Sequence, residues 1–336
     1  MKKENLVILN NEKIFKENNK YYCENLDLKI VPEGLNNFFN VKFIARSSPQ
    51  KGGQELNLLN ISVSRNILEF LKNLFKTFNH KNKYLIISIT PYTFIASLFL
   101  LIFRKKIYLY LWSDGKEEWK HLIGSWSVWI YQAMYEICSS FSELIVCNPR
   151  LTRKKSHLIS ISRLDEEWKT NSKKISCDSA KFLYVGRISK EKGIFDFMEI
   201  FNNNNLEGSL TLVGNSKNFK PDKPQIIYLG YVSDDKTLRG VYDNHNITIL
   251  PSYTEGYPYV VDESLARIRP VIIFEEISYV VNNKKGIFVC KRNAESVVKT
   301  TNYILNNYDK IQKEIRENNL PTKKSMLKQI SDIINN

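Results

Sequence analysis

The sequence predicts an α/β protein built from two Rossmann-like domains that face each other across a cleft. Three observations carry that expectation. Short apolar runs rich in β-branched residues recur along the chain with helix-length segments between them, the alternation that builds a mostly parallel sheet with helices on both faces. The same pattern restarts after a polar, basic stretch near the middle of the chain. The 336 residues, 43% of them hydrophobic, exceed one comfortable core and hold enough apolar side chains to fill two.

In chain order, the first half offers LVIL (residues 6–9), VKFIA (41–45), YLIISI (84–89), IYLYLW (107–112) and ELIVC (143–147) as strands. The stretch YLIISITPYTFIASLFLLIF (84–103), followed by Arg104, Lys105 and Lys106, approaches the length of a membrane span. Pro91 divides it into a strand and a helix of about thirteen residues, so it reads as buried α/β structure. The opening MKKENLVILNNEKIF holds an apolar run of only four residues, and no signal peptide is expected.

Residues 148–179 turn polar and basic, and form the expected connection between domains. Beyond them KFLYVG (181–186), SLTLVG (209–214), QIIYLG (225–230), NITIL (246–250) and PVIIF (270–274) read as strands with helices between them, three ending on Gly186, Gly214 and Gly230. The tail, residues 296–319 and 325–336, has the apolar spacing of amphipathic helix. The boundaries expected are 1–165, 166–316 and a terminal helix, 317–336, packed back on the first domain.

The formal net charge is +14 and is weighted toward the first half, with 25 Lys/Arg against 16 Asp/Glu up to Thr170 and 24 against 19 beyond it. That balance calls for an anionic partner: nucleic acid, an acidic membrane or a phosphorylated small molecule. Cys23, Cys138, Cys147, Cys177 and Cys290 are scattered without a CxxC or Cys/His cluster, which points to a reducing compartment and no structural zinc.

Two loops carry candidate chemistry. The first, GRISKEKG, runs from Gly186 to Gly193 with Arg187 and Lys192 five residues apart. A glycine at a strand end lets a ligand approach the backbone, and an Arg fork with a Lys point charge suits a diphosphate, although two cations on a surface loop can equally be solvated. The second, PSYTEGYPYVVDESLARIRPV (251–271), places Glu255 in a loop and Glu263 in the helix that follows, with Pro258 suited to its first turn. Ionised carboxylates only accept hydrogen bonds, so the pair suits the hydroxyls of a hexose and a ribose, or else a helix face and a capping acid. Together, on strand ends of one domain, the loops favour a nucleotide-sugar site.

These loops resemble the G-R-x-x-x-x-K-G and P-S-x-x-E-G-x-P-x-x-x-x-E-x-x-A-x-x-x-P-V segments of family 4 retaining glycosyltransferases with the GT-B fold. The resemblance is specific over residues 182–289 and vague across the first half. It implies that Arg187 and Lys192 hold the donor diphosphate, that Glu255 meets the transferred sugar, and that Glu263 binds the ribose. It places Gly186 and the backbone of Gly256, Tyr257 and Pro258 close to the donor. Where the family has Gly, this chain has Ile268. KGGQ (51–54), with Gly53, resembles a Gly-Gly loop that approaches the donor phosphates from the acceptor-binding first domain. No D-x-D pair is present, and such enzymes stabilise the leaving diphosphate without a metal. Asp114 is the preferred acceptor-side residue, a loop Asp in a turn being its alternative. His121 reads as a packed or surface histidine, and Trp119, Trp126 and Trp129 as sugar-stacking, interfacial or, most commonly, core residues.

A nucleic-acid binder would show a readable basic motif, and none is found. A nicotinamide enzyme would show G-x-G-x-x-G after a strand, also missing. A nucleotide-sugar epimerase would need acid and base residues at the sugar, which four histidines without a motif do not supply. The expectation is a cytoplasmic, metal-independent, retaining hexosyltransferase of surface polysaccharide or glycolipid synthesis. Its partners are a nucleotide sugar and a saccharide acceptor, lipid-linked where the basic half rests on the inner face of an anionic membrane; nucleic acid is not among them.

Overall fold

Each half of the chain is organised around a parallel sheet. The computed structural model describes residues 3–203, 206–216, 219–221 and 223–336, and divides into two compact units, Met1–Ile161 with Lys323–Asn336, and Ser162–Thr322.

The first unit runs β1 (Asn5–Glu17), β2 (Lys20–Cys23), α1 (Leu26–Leu35), β3 (Asn40–Ser47), β4 (Gln54–Leu56), β5 (Ile61–Ser64), α2 (Ile67–Phe75), β6 (Lys83–Ile87), α3 (Pro91–Ile102), β7 (Ile107–Leu111), α4 (Gly115–Leu122), α5 (Ser127–Ser140), β8 (Glu143–Val146) and β9 (Ser156–Leu158). Its parallel strands lie in the order β5-β3-β1-β6-β7-β8-β9, so the direction of travel reverses between β1 and β6. Register breaks in β1 between Leu9 and Lys13, and the far end of that strand pairs antiparallel with β2, which in turn pairs with β4. The expected strands are all present. Four others, β2, β4, β5 and β9, are three or four residues long with few buried side chains, too short to leave a hydrophobic pattern.

The span-like stretch is strand and helix. Thr90 caps α3: Thr93 N donates to Thr90 Oγ1 at 3.3 Å and Thr90 N to Thr93 Oγ1 at 2.8 Å, with Pro91 just inside the start. Among the described residues no helix is long and apolar enough to cross a membrane.

The second unit runs β10 (Ala180–Val185), α6 (Ile194–Asn203), β11 (Gly208–Val213), β12 (Ile226–Gly230), α7 (Asp235–Asp243), β13 (Ile247–Leu250), α8 (Tyr259–Ala266), β14 (Val271–Phe274), β15 (Ile287–Cys290), α9 (Ala294–Asn306) and α10 (Tyr308–Ile315). All pairings are parallel in the order β12-β11-β10-β13-β14-β15, and β13 and β14 are buried along their whole length. The helix expected between β11 and β12 is not found among the described residues. That segment opens at Gly214, φ 150°, where a Cβ would lie 1.8 Å from the Gly186 carbonyl oxygen, and it contains Pro221 and Pro224. The last helix, α11 (Lys323–Asn335), belongs to the first unit, where the Tyr108 hydroxyl donates to the Ile334 carbonyl at 2.9 Å.

The polar connection is anchored from beneath. Arg267, 2% exposed, forks onto Asp243 (Nε to Oδ1 3.0 Å, Nη2 to Oδ2 2.6 Å) and donates to the carbonyls of Trp168, Thr170 and Asn171. Arg269 reaches the carbonyls of Tyr242 and Lys173 from alongside, and its burial lowers its pKa from the usual arginine value. Buried guanidinium groups require such acceptors, so residues 168–173 are fixed by two arginines.

Candidate functional site

β10 and β13 are neighbours at the point where strand order reverses, and the loops leaving their carboxyl ends flank the crevice where open α/β sheets take ligands. After β10, the Tyr184 hydroxyl donates to the Arg187 carbonyl at 2.5 Å, and residues Lys190–Lys192 make a short 3-10 turn. Gly193 closes that turn at φ 62°, where a Cβ would lie 2.0 Å from the Pro251 carbonyl oxygen. Only glycine permits this approach, and it brings the loop after β10 against the loop after β13.

Lys192 Nζ lies 2.7 Å from Glu255 Oε1, with the two side chains 20% and 9% exposed. The Ser252 hydroxyl donates to the same oxygen at 2.6 Å. The Glu255 backbone is held by Tyr279, whose hydroxyl donates to the carbonyl at 2.5 Å and accepts from the amide at 3.0 Å. Arg292 braces the loop from below: it donates to the Pro251 carbonyl at 2.9 Å and to Glu276 at 2.9 Å, and stacks on Tyr253 at 4.0 Å. Arg187, by contrast, has a side chain 72% exposed that lies 3.6 Å from Glu191, a contact of little energetic weight. Lys192 and Glu255 are therefore brought together, and Arg187 stands in solvent.

Glu263 lies in α8, 7% exposed, and accepts from the Tyr242 hydroxyl at 2.9 Å. Burial pushes its carboxyl above the ordinary carboxylate range, while the positive charge of Arg163 opposes the shift. Arg163 itself stacks on Tyr259 at 4.0 Å. The neighbouring Asp262 is 1% exposed, 2.5 Å from Lys284 Nζ, and accepts from the Tyr257 hydroxyl at 2.5 Å. This brace fixes the Gly256, Tyr257, Pro258 turn, and Pro258 takes the N-cap position of α8 instead of its first turn. Ser252, Asp262, Lys284, Tyr279, Arg292 and Arg163 escaped the reading of the sequence. Asp262 alone left a signal, as a second acid on a helix buried on all sides, where a carboxylate requires a partner.

In the first unit, Gly53 lies in the loop between β3 and β4, where a Cβ on the adjacent Gly52 would sit 2.4 Å from the Cys23 carbonyl carbon. Asp114 is the N-cap of α4, accepting from Lys116 N at 3.0 Å and Glu117 N at 3.3 Å, so its carboxylate serves the turn. Trp119 packs on Tyr131, but Trp126 and Trp129 are 61% and 67% exposed and lie outside the core. The His121 side chain lies outside the described residues.

Residues 165–320 match the family model of glycosyl transferases group 1. Along its full length the chain superposes on HepE of Anabaena, solved in complex with UDP, with a TM-score of 0.73 at 12% identity over 99% of each chain. The fold is GT-B. Two curated relatives align with shorter stretches. The capsular polysaccharide biosynthesis glycosyltransferase CapM of Staphylococcus aureus is 27% identical over 139 residues, 37% of this chain and 36% of CapM. The putative teichuronic acid biosynthesis glycosyltransferase TuaC of Bacillus subtilis is 32% identical over 128 residues, 34% of this chain and 31% of TuaC. The chain thus spans about a third of the length of these curated relatives. Within the GT-B fold, the family-model match takes in Gly186, Lys192, Glu255 and Glu263, whereas Gly53 and Asp114 lie outside it.

Proposed function

We propose that the protein is a retaining glycosyltransferase that moves a hexose-type sugar from a nucleoside diphosphate to a saccharide acceptor. The observation that carries this reading is the Lys192–Glu255 pair, half-enclosed at the reversal of strand order in the second sheet. An ammonium and a carboxylate placed there match a diphosphate and a hydroxyl-rich sugar side by side. When the donor arrives, Lys192 turns part of its donor capacity to a phosphate oxygen and Glu255 accepts from the sugar hydroxyls. The exposed Arg187 fork closes on the same diphosphate. Glu263, oriented by Tyr242, accepts from the ribose, and the braced turn at Gly256, Tyr257 and Pro258 lines the sugar.

The acceptor hydroxyl oxygen bonds to the anomeric carbon on the face from which the diphosphate departs. The bond from that carbon to the diphosphate oxygen breaks, and the hydroxyl proton passes to the departing diphosphate. Lys192 and Arg187 meet the charge that develops there, so no metal is assigned a role. CapM and TuaC support a place in surface polysaccharide synthesis by their names, and the complexed nucleotide of HepE makes UDP the first probe. We assign the basic first unit to the surface of an anionic membrane, and the acceptor to a lipid-linked saccharide.

Calorimetric titration of UDP, GDP, ADP and CMP, with EDTA present, tests the reading. One diphosphate binds without metal, and Lys192→Ala weakens it by about tenfold or more, the loss of a charge-assisted contact. Binding of none of them, alongside tight binding of an oligonucleotide, overturns it.

A further inference from the structure

The first sheet has its own reversal of strand order, between β1 and β6, and an arginine reaches across it. Arg46 stands at the carboxyl end of β3, opposite Lys13 of β1. Its Nη1 donates to Asn11 Oδ1 at 3.2 Å, over the irregular end of β1, and its guanidinium stacks 4.5 Å from the ring of Tyr92, in the first turn of α3 after β6. Beneath it, buried Asn10 donates to the Ile87 carbonyl at 2.9 Å and accepts from the Glu12 amide at 2.5 Å, which locks the bulge in place.

Arg46 is half-buried, yet it forms no ion pair with a carboxylate among the described residues. Glu12, the acid of the bulge, interacts instead with Glu24, Lys13 and Cys23. A guanidinium has five donors in a fixed plane, and Asn11 engages one. A partly desolvated cation over an aromatic ring, with no further donor engaged among the described residues, stands at a strand-order reversal and is arranged for an oxyanion that arrives from outside.

We propose that Arg46, with Asn11 and Tyr92, forms a subsite for an anionic group, phosphate or carboxylate, on the saccharide acceptor. Identifying the ligand as the acceptor rests on the glycosyltransferase reading; the anion subsite itself does not. The subsite would select charged acceptors over neutral ones, because a neutral sugar leaves the guanidinium without a counter-charge.

The test titrates glucose 6-phosphate, glucuronate and glucose into the full chain and into Arg46→Gln, Arg46→Lys and Tyr92→Leu, with UDP titrated in parallel. One of the two anionic sugars binds about tenfold or more tightly than glucose, and loses about that factor in Arg46→Gln. Arg46→Lys restores part of it, and Tyr92→Leu, which keeps the charge and removes the ring, weakens it less than Arg46→Gln. The preferred probe tells phosphate from carboxylate. Anionic sugars no tighter than glucose, or equally tight in a folded Arg46→Gln, overturn the subsite. Loss of UDP binding alone, with Arg46-dependent binding intact, counts against the donor reading and leaves the subsite standing.

Discussion

Glu263 shows how a single carboxylate is kept at a cost to the fold. Its hydrogen bond from Tyr242 does not offset its loss of water, so its folded pKa lies above the ordinary 4.5. A group with a raised folded pKa gives stability below its unfolded pKa and loses that contribution as pH rises through the folded value. At neutral pH, above the unfolded pKa, Glu263 therefore weakens the unliganded second unit. Glu263→Gln keeps an oxygen for Tyr242 and removes the charge. Its Tm at pH 7 is expected to exceed wild type by about 2–4 °C, the shift that roughly 1 kcal/mol makes in a domain of this size, and the difference should shrink as pH falls below the unfolded pKa. Nucleoside diphosphate affinity should fall in the same variant. A Tm at or below that of the wild type at pH 7 would mean that Arg163 and Tyr242 already compensate the charge.

At the scale of the element, α8 ends in a Schellman turn built on an unusual residue. Ile268 N donates to the Leu265 carbonyl at 3.0 Å and Arg269 N to that of Ser264 at 2.9 Å, with Ile268 left-handed at φ 58°. Glycine is the ordinary occupant, which is why the resembling family has it there. A left-handed L-residue costs about 1–2 kcal/mol, but Ile268 is only 7% exposed, and full burial of such a side chain is worth about 1.5–3 kcal/mol. Glycine would also gain freedom in the unfolded chain, costing a further ~0.5–1 kcal/mol. Packing wins by this account, and urea denaturation should show Ile268→Gly less stable by about 1 kcal/mol. A more stable variant would reverse the order of strain and packing. The same helix shows what the sequence displayed and what it hid. Glu255 and Glu263 were visible because a motif fixes their spacing, and the strands because buried parallel strands are uninterrupted apolar runs. Arg267, Arg269, Lys284 and Arg292 were not, because their meaning lies in carbonyls and carboxylates brought to them from elsewhere in the chain. The surroundings of Arg187 and Asp114 were hidden too, since a charge in a loop looks alike whether it grips a ligand, caps a helix or faces water.

For the whole molecule, the question is where a net charge of +14 is used. The first unit gathers an apolar surface at the ends of α2 and α3: Phe75 is 55% exposed, Ile102 74% and Phe103 43%, with Phe75 and Phe103 in ring contact at 6.0 Å. Lys72, Lys76 and Arg104 stand exposed beside it, and none makes an ion pair among the described residues. Apolar side chains that enter the headgroup layer, ringed by cations worth about 1 kcal/mol each against anionic lipid, give additive reasons to sit on a bilayer without crossing it. Vesicle flotation should therefore recover the protein with phosphatidylglycerol-containing liposomes and lose it with pure phosphatidylcholine or at high salt. Ile102→Asp combined with Phe103→Ser should abolish flotation and leave UDP binding in the second unit unchanged. Recovery that ignores lipid charge would remove the membrane from the account. A patch variant that still floats, but runs as a smaller species than the wild type on size exclusion, would assign the surface to a second copy of the chain.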